Sequence, residues 1–220
     1  MELEHTKSPS MSKSLTDLLA ILDVERIKTN LFRGINPATR SRRVFGGQII
    51  GQAMIAASRT TEDRLPHSLH GYFIRPGDPK VPIIYQVERL RDGNSYPTRR
   101  VTALQHRNAV SAFWHRSMRK RRARSTTRLR WPGYPRRKEL SDGELSKRPI
   151  FPEIPEIIRR YYDFDRGIEL RPVEIGRYIG QKIGDGRVHI WIRTAAKLPD
   201  DPALHRSALA YASDCPYSMW

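Results

Sequence analysis

The chain has one cysteine, Cys215, among its 220 residues, so no intrachain disulfide can form, and the usage suits a reducing compartment. Long hydrophobic runs are also missing. No stretch approaches the ~20 apolar residues of a membrane span, and the polar N-terminus has no apolar segment of signal-peptide length. The chain does not close on Ser-Lys-Leu, so that peroxisomal address is absent. The cytoplasm is therefore the expected location. Metal-ligand spacing is lacking too: His67 and His70 stand three apart, on opposite faces of a strand. Gly34, Gly46, Gly47 and Gly51 fit neither a Walker nor a dinucleotide pattern, and Ser68 has no nucleophile-elbow context. No cofactor, metal or covalent intermediate is expected.

Charge is the strongest compositional signal. Lys and Arg number 40 against 23 Asp and Glu, a net +17. The run from Arg116 to Lys138 holds eleven of these cations and no acid, and without it the net charge is +6. It has no apolar periodicity and its like charges repel, so a disordered basic linker over 116–150 is expected. An out-of-frame stretch of a GC-rich gene would read this way. The alternative is a nucleic-acid-binding segment, with Trp114, Trp131 and Tyr134 interleaved among the arginines. Residues 14–105 show no helix-turn-helix, zinc finger or RNP motif, so nucleic acid is not the expected partner.

Residues 1–13 are polar and read as disordered. From Ser14 to Leu22, Leu15, Leu18, Leu19 and Leu22 make the apolar face of a short helix. A second helix opens at Gly46 and runs to about Ser58. Ile49, Ile50, Ala53, Met54, Ala56 and Ala57 are apolar on more than one of its faces, which predicts an enclosed helix. Gly47 and Gly51 lie four apart on one side of it, and a mid-helix glycine implies close backbone approach, expected here from a sheet. His67 to Ile74, Ile83 to Leu90 and Tyr96 to Gln105 read as strands, with Asp92-Gly93 as a hairpin turn. Further on, Ile168 to Glu174 and Arg187 to Ala196 read as strands. A third helix follows, with Asp201 as N-cap, Pro202 at its first position, and Leu204, Ala208, Leu209 and Ala212 as its apolar stripe.

A helix followed by strands that wrap it is the hot-dog arrangement, an α+β fold. The residues carrying it resemble the acyl-CoA thioesterase II family: Leu31-Phe32-Arg33-Gly34, Val44-Phe45-Gly46-Gly47-Gln48, Gly51-Gln52-Ala53, His67-Ser68-Leu69-His70, Arg75-Pro76-Gly77-Asp78 and Leu90-Arg91-Asp92-Gly93-Asn94-Ser95. Leu170-Arg171-Pro172-Val173-Glu174, Trp191-Ile192-Arg193 and Tyr211-Ala212-Ser213-Asp214 continue it, so that it covers roughly residues 14–108 and 139–214. The resemblance implies a double hot-dog: a first repeat over 14–115, the basic linker, and a second repeat over 151–220. Family members carry further strands after the second helix, so the second repeat is expected to be incomplete.

The resemblance also implies a reaction, hydrolysis of acyl-CoA to fatty acid and CoA, and a homo-oligomer. In that family an Asp near the end of the second repeat's helix orients the water with a Thr and a Gln from later strands, and Asp214 matches that Asp. The Thr and Gln would fall past Trp220, so weak activity is the expectation. Thioester hydrolysis also needs donors aimed at the carbonyl oxygen. The N–H groups of Gly46 and Gly47 open a helix and can supply them; His67 and His70 complete the expected substrate-binding set. The residues alone allow plainer roles: Asp214 as an exposed acid at a helix end, Gly46 and Gly47 as tight packing, and His70 as a satisfied sheet residue.

Overall fold

A computed structural model of the chain describes residues 13–37, 41–93, 95–119, 151–156, 159, 167–174, 176, 180 and 189–215. The expected disordered N-terminus and most of the basic segment lie outside these residues. The chain divides into two compact units, one of residues 20–135 and 199–220, the other of residues 1–19 and 136–198.

The larger unit is an antiparallel sheet on which a helix lies. Its strands are β1 (Val24–Lys28), β2 (Leu31–Gly34), β3 (Leu65–Phe73), β4 (Ile83–Arg91), β5 (Thr98–Gln105) and β6 (Asn108–Met118), in the order β1-β2-β4-β5-β6-β3. The helix is α2 (Gly46–Ser58), which follows α1 (Lys13–Leu22). Alternation sets the inner face: Ile83, Tyr85 and Val87 from β4 and Val101 and Ala103 from β5 are buried against Ile49, Ala53, Ile55, Ala56 and Ala57 of α2. The expectation of an enclosed helix holds, with every residue from Gly47 to Ala57 buried except Ile50. Gln52 is fully buried at the helix centre; it accepts from the Tyr85 hydroxyl at 2.7 Å and donates to the Ile21 carbonyl at 2.5 Å. This is the hot-dog arrangement.

One expectation about the first repeat changes. The linker does not begin at Arg116: Arg116, Ser117 and Met118 are the last residues of β6, paired to β3 and β5, and the Arg116 guanidinium stacks on Tyr96. The expected hairpin of β4 and β5 forms, with residues 92–97 linking Arg91 to its partner Thr98. A tighter turn that the sequence did not announce lies at His106-Arg107, whose φ values of 48° and 65° give the twist a two-residue hairpin needs.

A third helix, α3 (Pro202–Ser213), belongs to the same unit and packs on α2. The expected cap forms, with the Asp201 carboxylate accepting from the N–H groups of Ala203 and Leu204. Its buried stripe is Ser207, Ala208 and Ala212; Leu209, expected in it, is 62% exposed. The close approach at the helix glycines is to α3 rather than to the sheet. A Cβ on Gly47 would stand 2.3 Å from the Tyr211 carbonyl oxygen; one on Gly51 would meet Leu22 Cδ2 of α1 at 2.6 Å, and Ser207 O and Tyr211 Cβ of α3 at 3.3 Å.

In the smaller unit β7 (Ile168–Pro172) pairs antiparallel with β8 (Ile190–Thr194), from Ile168 opposite Thr194 to Pro172 opposite Ile190. Glu169 bridges Arg171 and Arg193, and Glu174 accepts from the His189 N–H at 2.9 Å. No helix among the described residues is long and apolar enough to cross a membrane.

Candidate active site

The N-terminus of α2 has no side-chain cap from its own neighbourhood: Phe45, at the cap position, is extended and gives no such bond. The cap comes from α3. Asp214, the residue after that helix, accepts a hydrogen bond from the Gly47 N–H at 2.9 Å through Oδ2. The α2 N-terminus presents unpaired N–H groups and a positive dipole end, both of which favour a carboxylate. The close approach depends on glycine. A Cβ on Gly46 would lie 2.7 Å from Asp214 Oδ2 and 2.8 Å from the Phe73 ring. Phe45 and Tyr211 seal the adjacent helix contact edge to face, with centroids 5.1 Å apart.

The carboxylate faces an open cleft of about 370 Å³. Val44, Ile49, Phe73 and Ile74 make its apolar wall, and Arg43 and Arg75 its basic rim. Partial burial raises the Asp214 carboxyl above its ordinary value, and the Gly47 hydrogen bond offsets part of this by favouring the charged form. A carboxylate raised in this way is a stronger general base than an ordinary aspartate.

A polar clasp holds the wall formed by residues 75–81. Gln105, nearly buried, accepts from the Asp78 N–H at 2.8 Å through Oε1 and donates through Nε2 to the Asp78 carbonyl at 2.8 Å and the Val81 carbonyl at 2.5 Å. Asn36 donates to the Val81 carbonyl at 2.7 Å, and Gln48 of α2 donates to Asn36 at 2.7 Å. The Val44 N–H donates to the Gly77 carbonyl at 2.9 Å, tying the segment before α2 to this wall.

Of the residues expected at the site, the fold brings Asp214, Gly46 and Gly47 together. Gly46 and Asp214 line the cleft, while the Gly47 N–H is engaged by the carboxylate. His67 and His70 lie elsewhere, exposed on β3, where His67 packs edge to face on Tyr96 and His70 on Tyr72. Phe73, Ile74, Arg43 and Arg75 were not expected at the site. The one hint was the Arg75-Pro76-Gly77-Asp78 turn, where Pro and Gly mark a shaped loop. Among the described residues no group of three or more His, Cys, Asp or Glu is placed to hold a metal.

Residues 36–117 match the family model described as "Acyl-CoA thioesterase N-terminal domain". Acyl-CoA thioesterase 2 of Haemophilus influenzae is 32% identical over 217 residues, spanning 93% of this chain and 71% of that protein. Human acyl-coenzyme A thioesterase 8 is 32% identical over 202 residues, 88% of this chain and 63% of the human protein. Among solved structures, the tesB protein of Mycobacterium avium subs paratuberculosis superimposes with a TM-score of 0.70 at 31% identity, over 92% of this chain and 70% of that one. A hot-dog protein of Alicyclobacillus acidocaldarius, 18% identical with a TM-score of 0.65, supports the fold alone.

Proposed function

The chain belongs to the acyl-CoA thioesterase II family, and on that premise we propose that it hydrolyses acyl-CoA to a free fatty acid and CoA with Asp214 as the water-orienting base. The observation that carries this reading is the Asp214 carboxylate at the α2 N-terminus, facing a cleft with an apolar wall and a basic rim. The wall suits an acyl chain and the carboxylate a water. In the reaction the water oxygen bonds to the thioester carbon as its proton passes to Asp214, the C–S bond breaks, and the CoA sulfur leaves as thiolate and is protonated. The Gly46 N–H, at the first helical position where no intrahelical acceptor exists, is the donor for the carbonyl oxygen. Glycine here also lets the carbonyl approach.

His67 and His70 stay in the proposal as substrate contacts at the periphery; their exposure on β3 supports no closer role. Assembly as a homo-oligomer draws support from β3, an edge strand with Tyr72 62% exposed. Residence in the cytoplasm draws support from the content of a single cysteine, which allows no intrachain disulfide.

The test is release of free CoA from decanoyl- and palmitoyl-CoA by the parent and by Asp214→Ala. Turnover that disappears in the variant supports the reading, whatever its absolute rate. Equal release by both preparations removes Asp214 from the reaction.

A further inference from the structure

We propose that Arg43 and Arg75 form the binding site for the phosphate groups of the CoA moiety. The inference rests on the thioesterase reading for the identity of the ligand, and on the cleft itself for the site.

The two arginines come from segments 32 residues apart in sequence and line the same cleft as Asp214. The segments that carry them are held together by backbone bonds. The Val44 N–H donates to the Gly77 carbonyl at 2.9 Å, joining the residue after Arg43 to the second residue after Arg75. Arg75 is held further, its N–H donating to the Val110 carbonyl at 3.1 Å and its Nη1 to the Ala109 carbonyl at 2.9 Å. A Cβ on Gly77 would meet the Val44 side chain at 3.1 Å, so the two segments are in contact.

Their charge is unspent. Arg33, Arg59, Arg99 and Arg100 each pair with an acid, whereas among the described residues neither Arg43 nor Arg75 has an acidic partner. Both are exposed, and Asp214 is the one carboxylate among the residues lining the cleft. An acyl-CoA presents a neutral thioester at one end, and a pyrophosphate and a 3′-phosphate at the other. Arginine binds phosphate through paired N–H donors and keeps its charge at all working pH values. The apolar wall, the carboxylate and the arginine rim therefore match the three chemical parts of one ligand.

Calorimetry on the full chain tests this without turnover, with CoA, dephospho-CoA and pantetheine as ligands. The parent should bind CoA more tightly than pantetheine, with an affinity that falls as salt is raised. The Arg43→Ala/Arg75→Ala variant should lose about tenfold or more in CoA affinity, the scale of hydrogen bonds to charged groups, while its pantetheine affinity is unchanged. Arg43→Lys/Arg75→Lys keeps the charges and should recover part of the loss. A smaller loss with dephospho-CoA would place the 3′-phosphate at the pair, and an equal loss the pyrophosphate. CoA binding in the parent no tighter than pantetheine, or a variant that weakens both alike, overturns the proposal. A parent that binds CoA in this pattern but releases none from decanoyl-CoA would sink the thioesterase reading and leave the phosphate site standing.

Discussion

Asp214 accepts a hydrogen bond from the Gly47 N–H across 167 positions of sequence, so the helix ending at one residue caps the helix opening near the other. Next to the last turn of α3 a carboxylate faces a negative dipole end; at the first turn of α2 it faces a positive one. The second environment offsets the first. An acid near the close of a helix, unfavourable on local grounds, is offset by a partner far away in the chain.

Replacing Asp214 with Ala should lower kcat for decanoyl-CoA by about 10²- to 10⁴-fold, the range for a lost general base. The same change removes a cap and should cost about 1 kcal/mol in a denaturant titration. Asp214→Asn keeps an acceptor for the Gly47 N–H, so it should recover most of that stability and none of the rate. Recovery of both would mean that the group acts by packing alone.

The acid limb of kcat/KM should lie above the ordinary aspartate value, because burial raises the Asp214 carboxyl and hydrolysis needs its ionised form. Activity should fall as pH drops through the shifted value. Stability responds with the opposite sign. The folded state holds this proton more tightly than the unfolded chain, so the contribution is present below the unfolded value and is lost as pH rises through the folded one. A limb at the ordinary carboxylate value would remove Asp214 as the titrating base.

Gly47→Ala should destabilise by ~1–3 kcal/mol and reduce activity with it, since the new methyl meets the Tyr211 carbonyl at 2.3 Å and backbone must shift. Gly51→Ala should cost less, because its nearest obstacle is the mobile end of the Leu22 side chain at 2.6 Å. Thermal melts of the pair give the order. A reversed order would refute the helix-to-helix account of these glycines.

His115 is fully buried opposite Arg99, and burial with that guanidinium lowers its pKa from 6.5 to about 4. The unfolded chain then binds its proton first, so stability should decline as pH falls from about 6.5 towards about 4. Urea midpoints measured across this window should flatten in His115→Leu. An unchanged slope would place the pH response elsewhere.

Gln105→Ala should take the acceptor from the Asp78 N–H and one donor each from the Asp78 and Val81 carbonyls, costing ~1–3 kcal/mol and loosening residues 75–81. Hydrogen exchange of those amides, read beside KM for decanoyl-CoA, checks it. Faster exchange with a raised KM and little change in kcat is expected.

By itself, the sequence determined α2, its burial, β3 to β5 and the Asp201 cap, because each rests on a local pattern: all-round apolar residues, alternation, and an Asp-Pro helix start. The family motifs singled out Asp214 as the candidate acid. Strand β6 stayed hidden because its inward positions are Ser111, Phe113, His115 and Ser117, and only one of these is apolar. The His106-Arg107 turn was illegible because it lacks the Asn-Gly, Asp-Gly or Gly-Gly pair that ordinarily marks a turn of this twist. What packs against Gly47 and Gly51 could not be read either. A glycine records that something comes close, and only the tertiary structure decided that it is α3, joined at Gly51 by Leu22 of α1, rather than the sheet. The same packing sets the Asp214 carboxylate on the α2 N-terminus and gathers Phe73, Arg43 and Arg75 around it, because the cleft is made by the meeting of chain segments that no local period connects.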